Sequence, residues 1–416
     1  MTASSGTWSP KTGESKIMIS RTSPLCVFPF ILAFVAAFAC NKSQIDTPTE
    51  SQEKQDSLNY NVFCFYYPWY GSEEHDGQNF HWSASYYTEK GASRAGVHTS
   101  EHHDISSCFY PEAGMYSSAD RATIIRQLKD MAECGIGVVI AEWGYSVNSD
   151  NAPDEEKVLP VIFDVADSLG MKVSVIQGHY PGRTVSSTRT DIVNYVHKYG
   201  RHNACWKIDG RPVYLIWSTN NTGDDPEKKD EFFRTWDKLL TKDGSISIRG
   251  TAYDAFVVTI LKNMYNKPDI VRAGFDGFYT YFAVDGLTEC STTANWKSLL
   301  EWADSKGLVF MPSIGPGYED TRLNCWNTSS TRNRNGGQYY RDMASAAFDA
   351  KVRYLGITSY NEWHEGTQIE PAIPMSVDKD AKTDYGPYIY KDYTPESPDF
   401  YLRLTKEIIQ SFNKQQ

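Results

Sequence analysis

Short apolar runs alternate with helical patterns along most of this chain, and this alternation constrains the fold more than any other feature. The runs lie at 62–66, 137–141, 172–177, 213–217, 255–260, 277–281, 309–313 and 354–359. Each run is brief and almost continuously apolar, as strands are when both of their faces are covered. The runs therefore predict strands that lie between other layers of the protein.

Amphipathic patterns fill the intervals between the runs. Segment 119–133 places Ile124, Leu128 and Met131 on one helical face, and segment 154–169 has the same spacing. Further helical patterns lie near 189–199, 227–240, 291–306, 337–350 and 398–412. Strand–helix alternation repeated about eight times predicts an α/β chain that folds as a single (β/α)8 barrel, the TIM barrel.

The structural alternative is an open, doubly wound parallel sheet. No Gly-x-Gly-x-x-Gly motif follows the first strand, so the dinucleotide-binding signature of that architecture is missing from its usual place. The barrel is the prediction that we carry forward. Residues 71–118, between the first strand and its helix, then form an elaborated loop at the top of the barrel.

The N-terminal segment predicts export. Residues 27–39 form an apolar stretch that follows Lys16 and Arg21 and is too short to cross a bilayer as a helix. Cys40 ends this stretch directly, which favours a signal peptide over 1–40 with bacterial lipoprotein processing at Cys40. Ordinary secretory cleavage beside an incidental cysteine is the alternative.

A lipid-bearing Cys40 would anchor the protein to the bilayer of a bacterial membrane, on the periplasmic side or at the cell surface. Residues 41–58 are polar and lack aromatic side chains, which predicts a flexible tether. Residues 59–416 then form the (β/α)8 domain.

Composition and motif spacing exclude several kinds of site. The net charge of −11 argues against a nucleic-acid partner. The eight cysteines include no Cys-x-x-Cys pair, and neither 102–104 (His-His-Asp) nor His364-Glu365 has His-Glu-x-x-His spacing. We therefore expect no metal centre, and we expect most of the cysteines to be buried free thiols.

Aromatic and carboxylate side chains follow many of the predicted strands, at the end where TIM barrels gather their chemistry. These residues are Tyr67, Trp69, Tyr70, Glu142, Trp143, His179, Tyr180, Arg183, Trp217, Tyr279, Tyr281, Tyr318, Glu362, Trp363, His364 and Glu365. Such a mixture is what a carbohydrate cleft requires. Taken singly, each aromatic side chain has packing as an equal alternative, and His179 and His364 either bind sugar hydroxyls or are hydrogen-bonded imidazoles.

The decisive stretch is 361–370, Asn-Glu-Trp-His-Glu-Gly-Thr-Gln-Ile-Glu, which follows the last apolar run. It places two carboxylates, Glu362 and Glu365, beside an indole and an imidazole. Acid–base chemistry on a sugar needs one carboxyl group to give a proton and a second to take one or to attack. Two solvated loop acids are the alternative, which the position at a barrel strand end disfavours.

The same stretch resembles the signature of glycoside hydrolase family 99, the endo-acting α-mannosidases and α-mannanases. The likeness extends in order through 65–71 (Phe-Tyr-Tyr-Pro-Trp-Tyr-Gly), 81–82, 109–112, 116–118, 274–277, 279–283, 312–318 and 331–334. The resemblance implies a barrel fold, no cofactor, and cleavage of α-mannosidic linkages inside mannan or high-mannose glycans. An α-mannose-containing oligosaccharide or polysaccharide is then the expected partner, and other glycan-uptake proteins are further candidates for an enzyme anchored at Cys40.

The resemblance also implies roles for individual residues. Glu365 matches the family's general acid/base, and Glu362 matches the carboxylate thought to deprotonate the sugar's own 2-hydroxyl, giving a 1,2-anhydro intermediate and overall retention. The counterpart of Tyr281 lies beside these carboxylates, and the segment that holds Arg332 and Arg334 belongs to the site. The residues themselves leave direct attack by a carboxylate open, which is the commoner retaining route.

One segment departs from the family pattern. Glu142-Trp143-Gly144 stands where the resemblance leads us to expect Ser-Trp and a further aromatic residue that helps to select the sugar preceding the cleaved bond. The reaction is therefore better defined than the substrate. Two alternatives stay open: a non-catalytic, glycan-binding surface lipoprotein, and a two-carboxylate glycosidase that acts on a different linkage.

Overall fold

The computed structural model describes residues 58–82, 104–144, 155–178, 180, 182–217, 235–324, 326–377 and 388–416. The predicted signal peptide, the lipidation site Cys40, nearly all of the predicted tether and His179 lie outside these residues. Within the described residues, no helix has the length and apolar character needed to span a membrane.

A ring of parallel strands forms the centre of the fold. The described residues contain the strands β1 (Asn59–Tyr66), β2 (Ile136–Trp143), β3 (Lys172–Gln177), β4 (Lys207–Ile208), β5 (Arg211–Ile216), β6 (Phe256–Ile260), β7 (Gly277–Tyr279), β8 (Val309–Met311), β9 (Ser313–Ile314), β10 (Leu355–Ile357), β11 (Ser376–Val377) and β12 (Tyr388–Ile389), and nine of them belong to the ring. The ring runs β8-β7-β6-β5-β3-β2-β1-β10-β9. Strand β4 pairs only with β5, and β11 and β12 form a separate antiparallel pair.

The ring closes through a strand that is interrupted at Pro312. Strand β8 pairs with β7 on one side, and β9, one residue further along the chain, pairs with β10 on the other. Proline has no N–H to donate to a ladder. Its carbonyl still accepts from the Gly356 N–H at 2.8 Å, so the two pieces act as one barrel strand. The predicted TIM barrel is confirmed.

Alternation along the strands explains why they are apolar throughout. In β1, Phe63 and Phe65 belong to a cluster inside the barrel, whereas Val62, Cys64 and Tyr66 pack outside it against the helical layer. Successive strand side chains point to opposite faces. Because both faces of β1 are covered, both sets of side chains are apolar.

Helices cover the outside of the ring. They are α1 (Glu73–Asp76), α2 (Arg121–Glu133), α3 (Glu155–Ser168), α4 (Val185–Tyr199), α5 (Lys267–Ala273), α6 (Trp296–Lys306), α7 (Gln338–Asp349) and α8 (Phe400–Asn413), and residues 235–240 are also helical. The first turn of α2 begins at Asp120, whose carboxylate accepts from the N–H groups of Ala122 and Thr123. An acidic N-cap of this kind satisfies donors that have no partner within the helix.

The sequence patterns missed the smallest elements. Helix α5 and the two hairpins that contain β4 and β11 are too short to show a hydrophobic period. The patterns also extended several strands too far, because β5, β7 and β10 end at Ile216, Tyr279 and Ile357. Single backbone bonds continue past these points, and side chains add to them, as where the Thr358 hydroxyl donates to the Tyr281 carbonyl at 2.6 Å.

Candidate active site

A hollow of about 260 Å3 opens at the carboxyl ends of the barrel strands. Its lining residues are Tyr67, Trp69, His81, Glu142, Ile176, Gly178, Trp217, Tyr281, Leu323, Glu362, His364 and Glu365. Both carboxylates of the 361–370 stretch are among them. We refer to Glu362 and Glu365, the two carboxylates predicted from the sequence to be catalytic, as the catalytic pair and to this cavity as the hollow.

Asn361 fixes the start of the loop that carries the catalytic pair. Its side-chain oxygen accepts from the Tyr67 N–H at 2.8 Å, and its side-chain amide donates to the Tyr67 carbonyl at 2.9 Å. The side chain thus reproduces a two-bond strand pairing just after β1 and β10 have ended. The loops that follow these neighbouring strands are held together at the hollow.

The Glu362 carboxylate is held by the backbone of its own loop. The His364 N–H donates to Oε1 of Glu362 at 3.1 Å, and the Glu362 N–H donates to the Ser359 hydroxyl at 2.8 Å. Only 4% of Glu362 is exposed. The carboxylate therefore has a defined orientation and little access to bulk water.

Glu365 lies at the end of a row of phenol groups. The Tyr67 hydroxyl donates to the Tyr281 hydroxyl at 2.6 Å, and the Tyr281 hydroxyl donates to Oε2 of Glu365 at 3.1 Å. Both tyrosines are buried, and burial raises their pKa values well above that of an exposed tyrosine. The phenols keep their protons at neutral pH, so they act as hydrogen-bond donors toward Glu365.

The catalytic pair is tuned for proton transfer. Burial raises the pKa of Glu365 to about 7, although the bond from Tyr281 opposes this shift. Burial, followed by repulsion from Glu365, raises the pKa of Glu362 well above the usual range. Two like charges in one cavity disfavour joint ionisation, so the pair titrates as a unit and holds a proton near neutrality. One carboxyl group can then give a proton while the other accepts one.

Aromatic rings form one wall of the hollow. Tyr67 and Trp69 have ring centroids 4.5 Å apart, Trp69 and His81 are 4.2 Å apart, and His81 and His364 are 4.8 Å apart. Burial lowers the pKa of His81, and the neighbouring His364 adds to this effect. A neutral imidazole between an indole and a second imidazole suits a surface that binds a sugar. The rings can contact the apolar face of the sugar, and the imidazoles can form hydrogen bonds with its hydroxyl groups.

The wall across the barrel combines a carboxylate, a glycine and an indole. Glu142, the penultimate residue of β2, lines the hollow together with Gly178 and Trp217. Behind them, Nη1 of Arg183 donates to the carbonyls of Gly178 and Trp217, both at 2.9 Å. Arg183 thereby joins the ends of β3 and β5, which keeps this wall in place.

The hollow includes six residues that the sequence predicted as site residues. They are Tyr67, Trp69, Tyr281, Glu362, His364 and Glu365. Glu142 and Trp217, which the sequence placed at strand ends without a role, lie there too. The catalytic pair, the central feature of the predicted site, does face one common cavity.

Six other predicted site residues lie elsewhere, and three of them support the barrel or the loop. The Tyr70 hydroxyl donates to the Asn361 carbonyl at 3.1 Å, beneath the hollow. The Tyr279 hydroxyl donates to the Ile216 carbonyl at 3.2 Å, inside the barrel. The indole of Trp363 is fully buried and points away from the hollow to Tyr116 and Glu370. We therefore do not expect these three to contact substrate in the hollow.

The remaining three face away from the hollow. Trp143 packs edge-on against Tyr214 in the outer layer. The Tyr180 hydroxyl donates to Asp191 at 2.6 Å, on α4. Arg332 donates through Nη2 to the Asp285 carbonyl at 2.9 Å and lines a separate groove. The prediction that these side chains bind sugar in the hollow is not supported by their positions.

Besides Glu142 and Trp217, four residues that line the hollow were not predicted as site residues. Ile176 and Gly178 belong to the end of β3, where alternation places every second residue inward. His81 and Leu323 come from loops that follow β1 and β9. A loop has no period to reveal which of its residues turns inward, although His81 does belong to one of the resemblance motifs.

Comparison with known proteins agrees with this geometry. The model of glycosyl hydrolase family 99 matches residues 57–414. The chain belongs to that family. As a family 99 protein with its catalytic pair in a barrel-top hollow, it is a glycoside hydrolase.

Similar proteins span most of this family 99 chain. A glycoprotein endo-α-1,2-mannosidase of Xenopus laevis is 38% identical over 367 residues, which cover 86% of this chain and 78% of the relative. The Rattus norvegicus protein of the same name is 36% identical over 373 residues, covering 87% and 77%. A solved endo-α-mannosidase of the family from Bacteroides thetaiotaomicron has a TM-score of 0.74 and 36% identity, covering 86% of this chain and 99% of that one.

Proposed function

We propose that this family 99 enzyme is a retaining, endo-acting α-mannosidase that cleaves α-mannosidic linkages within mannan or high-mannose glycans. The observation that carries the proposal is the catalytic pair, two carboxylates that line one hollow and whose pKa values are both raised by burial. The activity named for the similar proteins supports the substrate class. Neither a metal nor an organic cofactor has a step in the proposed reaction.

The first chemical step removes the leaving glycan. Protonated Glu365 donates its proton to the glycosidic oxygen while Glu362, ionised, takes the proton of the sugar's 2-hydroxyl. That oxygen attacks the anomeric carbon, the bond to the leaving oxygen breaks, and a 1,2-anhydro sugar forms. The pKa of about 7 for Glu365 supports its role as the acid at neutral pH.

The second step opens the anhydro ring with water. Glu365, now ionised, takes a proton from the water molecule whose oxygen attacks the anomeric carbon. The bond between that carbon and the 2-oxygen breaks, and Glu362 returns its proton to the 2-oxygen. Two inversions at one carbon give overall retention, and both carboxyl groups return to their starting states.

A donor sugar without a 2-hydroxyl separates this route from direct attack by a carboxylate. We expect a 2-deoxy donor to bind without being cleaved, while the matched 2-hydroxy donor is hydrolysed. Release of the leaving group from the 2-deoxy donor at a comparable rate would show direct carboxylate attack instead.

Product analysis tests the activity itself. The protein is incubated with yeast α-mannan and, separately, with a glucosylated high-mannose glycan, and the products are identified by mass and linkage. An oligosaccharide released from inside the chain supports the proposal. Binding without any release would favour the non-catalytic glycan-binding alternative, and release only from a β-mannan, tested in parallel, would favour a different linkage.

We also propose that the enzyme is exported and anchored through an acylated Cys40, on the apolar and cysteine pattern of residues 27–40. Metabolic labelling with a radioactive fatty acid in a bacterial host should label the wild-type protein. The Cys40→Ser variant should stay unlabelled and leave the membrane fraction. Equal labelling of the two proteins would exclude Cys40 as the attachment site.

A further inference from the structure

A third glutamate of the 361–370 stretch lies behind the hollow rather than in it. Glu370 is 1% exposed and accepts four hydrogen bonds. Arg126 and Gln127 on α2 donate to Oε1 at 2.8 and 2.9 Å. The Tyr116 hydroxyl and the Trp363 indole donate to Oε2 at 2.7 and 3.1 Å. Four donors, one of them the guanidinium group of Arg126, thus surround one buried carboxylate.

Stability alone is a poor reason for such an arrangement. A buried ion pair commonly contributes little compared with an apolar replacement, because desolvation of the charges offsets their attraction. Buried polar networks can instead fix a single geometry. The function of Glu370 therefore depends on which residues its hydrogen-bond donors hold in position.

Two of those donors lead directly to the catalytic pair. Trp363 lies between Glu362 and Glu365 in the chain, and its indole has no exposed surface. The Tyr116 hydroxyl also accepts from the Trp363 indole at 3.2 Å and from the Asn361 side-chain amide at 3.3 Å. The residues on both sides of Glu362 are thus tied to one hydroxyl group.

Glu370 decides how that hydroxyl is oriented. A tyrosine hydroxyl has one proton to donate and can accept at its oxygen. Burial and the negative charge of Glu370 raise the pKa of Tyr116, so the hydroxyl keeps its proton and points it at Glu370. Its oxygen is then left to accept from Asn361 and Trp363.

We propose that Glu370 is a positioning residue for the catalytic pair, acting through Tyr116 and Trp363. Its carboxylate anchors the loop from behind, while α2 anchors the carboxylate through Arg126 and Gln127. The proposal rests on the proposed hydrolytic function, for which it names a further residue that never touches the substrate.

Two substitutions at Glu370 test this inference. Glu370→Gln keeps the shape but must turn an N–H2 group toward one pair of donors, and Glu370→Ala removes every acceptor atom. We expect each to lower kcat on an α-mannan substrate by about 10- to 100-fold, because small displacements of catalytic groups carry penalties of that order. KM should stay within about threefold, because the lining of the hollow is unchanged.

The pH profile distinguishes positioning from mere support of the fold. A loosened loop admits water to Glu365, which relieves the burial that raises its pKa. The alkaline limb of kcat should therefore move to lower pH in both variants. A purely structural role would lower the melting temperature and leave the profile of the folded enzyme where it is in the wild type.

Asp276 offers a matched control. It is another largely buried carboxylate, held by Arg211 at 2.7 Å, by Arg249 at 2.8 Å and by the Val257 N–H at 2.8 Å, at the opposite end of the barrel. Asp276→Asn should reduce stability without changing kcat per folded molecule or the pH profile. Glu370 variants that behave like Asp276→Asn, or that keep wild-type kcat, would overturn the proposal.

Tyr116→Phe keeps the inference testable if the Glu370 variants do not fold. It leaves Glu370 with three donors and removes only the hydroxyl shared by Asn361 and Trp363. We expect a lowered kcat and a displaced alkaline limb, and an unchanged kcat would overturn the inference. Wild-type turnover of α-mannan, measured first in the same assay, keeps failure of the proposed function separate from failure of this one.

Discussion

Both ends of the barrel bury carboxylates, but the groups around them differ. At the amino end of the strands, Asp276 accepts from the guanidinium groups of Arg211 and Arg249. At the carboxyl end, Glu362 accepts from the His364 N–H and Glu365 from the Tyr281 phenol, which are neutral donors. A cation stabilises the ionised form of a buried acid much more than a neutral donor does. The ion-paired carboxylate at the first end serves the fold, and the raised pKa values of Glu362 and Glu365 at the second suit proton transfer.

This difference shows how one fold separates stability from chemistry. Asp276 lies at the opposite end of the barrel from the hollow, so a substitution there need not affect the proposed reaction. At the hollow, burial raises the pKa of Glu365 to about 7, where an acid catalyst works best at neutral pH. Substitutions at the two ends should accordingly have opposite consequences for activity and stability.

The largest effect is expected at Glu365. Glu365→Gln removes the proton donor while keeping the shape of the side chain, so hydrolysis of α-mannan should fall by about a thousandfold or more. Glycan binding, measured by calorimetry, should persist, because the rest of the hollow is intact. A variant that turns over at the wild-type rate would remove Glu365 from the reaction and with it the contrast between the two ends.

The opposite outcome is expected at the amino end. Asp276→Asn leaves Arg249, only 9% of whose side chain is exposed, with a weakened partner. Removing one member of a buried pair typically costs about 3 kcal/mol or more. Urea denaturation should show this loss, while kcat per folded molecule stays at the wild-type value. A loss of activity without a loss of stability would mean that this end also contributes to the reaction.

The raised pKa of Glu365 also predicts how stability depends on pH. An unfolded glutamate loses its proton near pH 4.3, whereas folded Glu365 keeps it to about pH 7. Between these values the folded state binds more protons than the unfolded state, so stability falls as pH rises through this window. Above pH 7 the full penalty, on the order of 3–4 kcal/mol, is present.

Glu365→Gln should remove that penalty. The variant should be about as stable as the wild type near pH 4 and more stable at pH 8, as measured by thermal or urea unfolding at each pH. A variant that is less stable than the wild type at pH 8 would contradict the view that burial without a cation is what raises this pKa. Asp276→Asn, destabilised at both pH values, serves as the control.

The barrel was predictable from the sequence because strands that are covered on both faces are apolar throughout, whereas helices that are covered on one face are amphipathic. These patterns extend over whole elements, so single exceptions such as Pro312 do not hide them. Helix α5, with seven residues, is too short for a period to appear. The position of the catalytic pair was predictable as well, since carboxylates that directly follow a barrel strand lie at its carboxyl end; their chemical role stays a prediction.

Individual lining residues were harder to predict, because adjacent residues at a strand end face opposite ways. Glu142 turns into the hollow and Trp143 turns out to the helical layer, although the sequence favoured Trp143 as the sugar contact. Tyr279 and Tyr281 differ by depth, since the first lies inside the barrel and only the second reaches the hollow. The residue at which a strand ends is predicted from sequence with an error of more than one residue. A difference of one residue is enough to change which side chain faces the hollow.

The smallest expected effect concerns the phenol beside Glu365 and tests how far a neutral donor can tune the acid. The bond from Tyr281 lowers the pKa of Glu365 and so opposes the effect of burial. Tyr281→Phe removes that bond while keeping the ring, so the pKa of Glu365 should rise and the alkaline limb of kcat/KM should move up by about half a unit to one unit. Tyr67→Phe is the matched control, because its hydroxyl donates to Tyr281 rather than to Glu365. Tyr67→Phe should shift the alkaline limb of kcat/KM less than Tyr281→Phe does. A shift of that limb to lower pH in Tyr281→Phe would mean that the Tyr281 hydroxyl stabilises the protonated form of Glu365 instead.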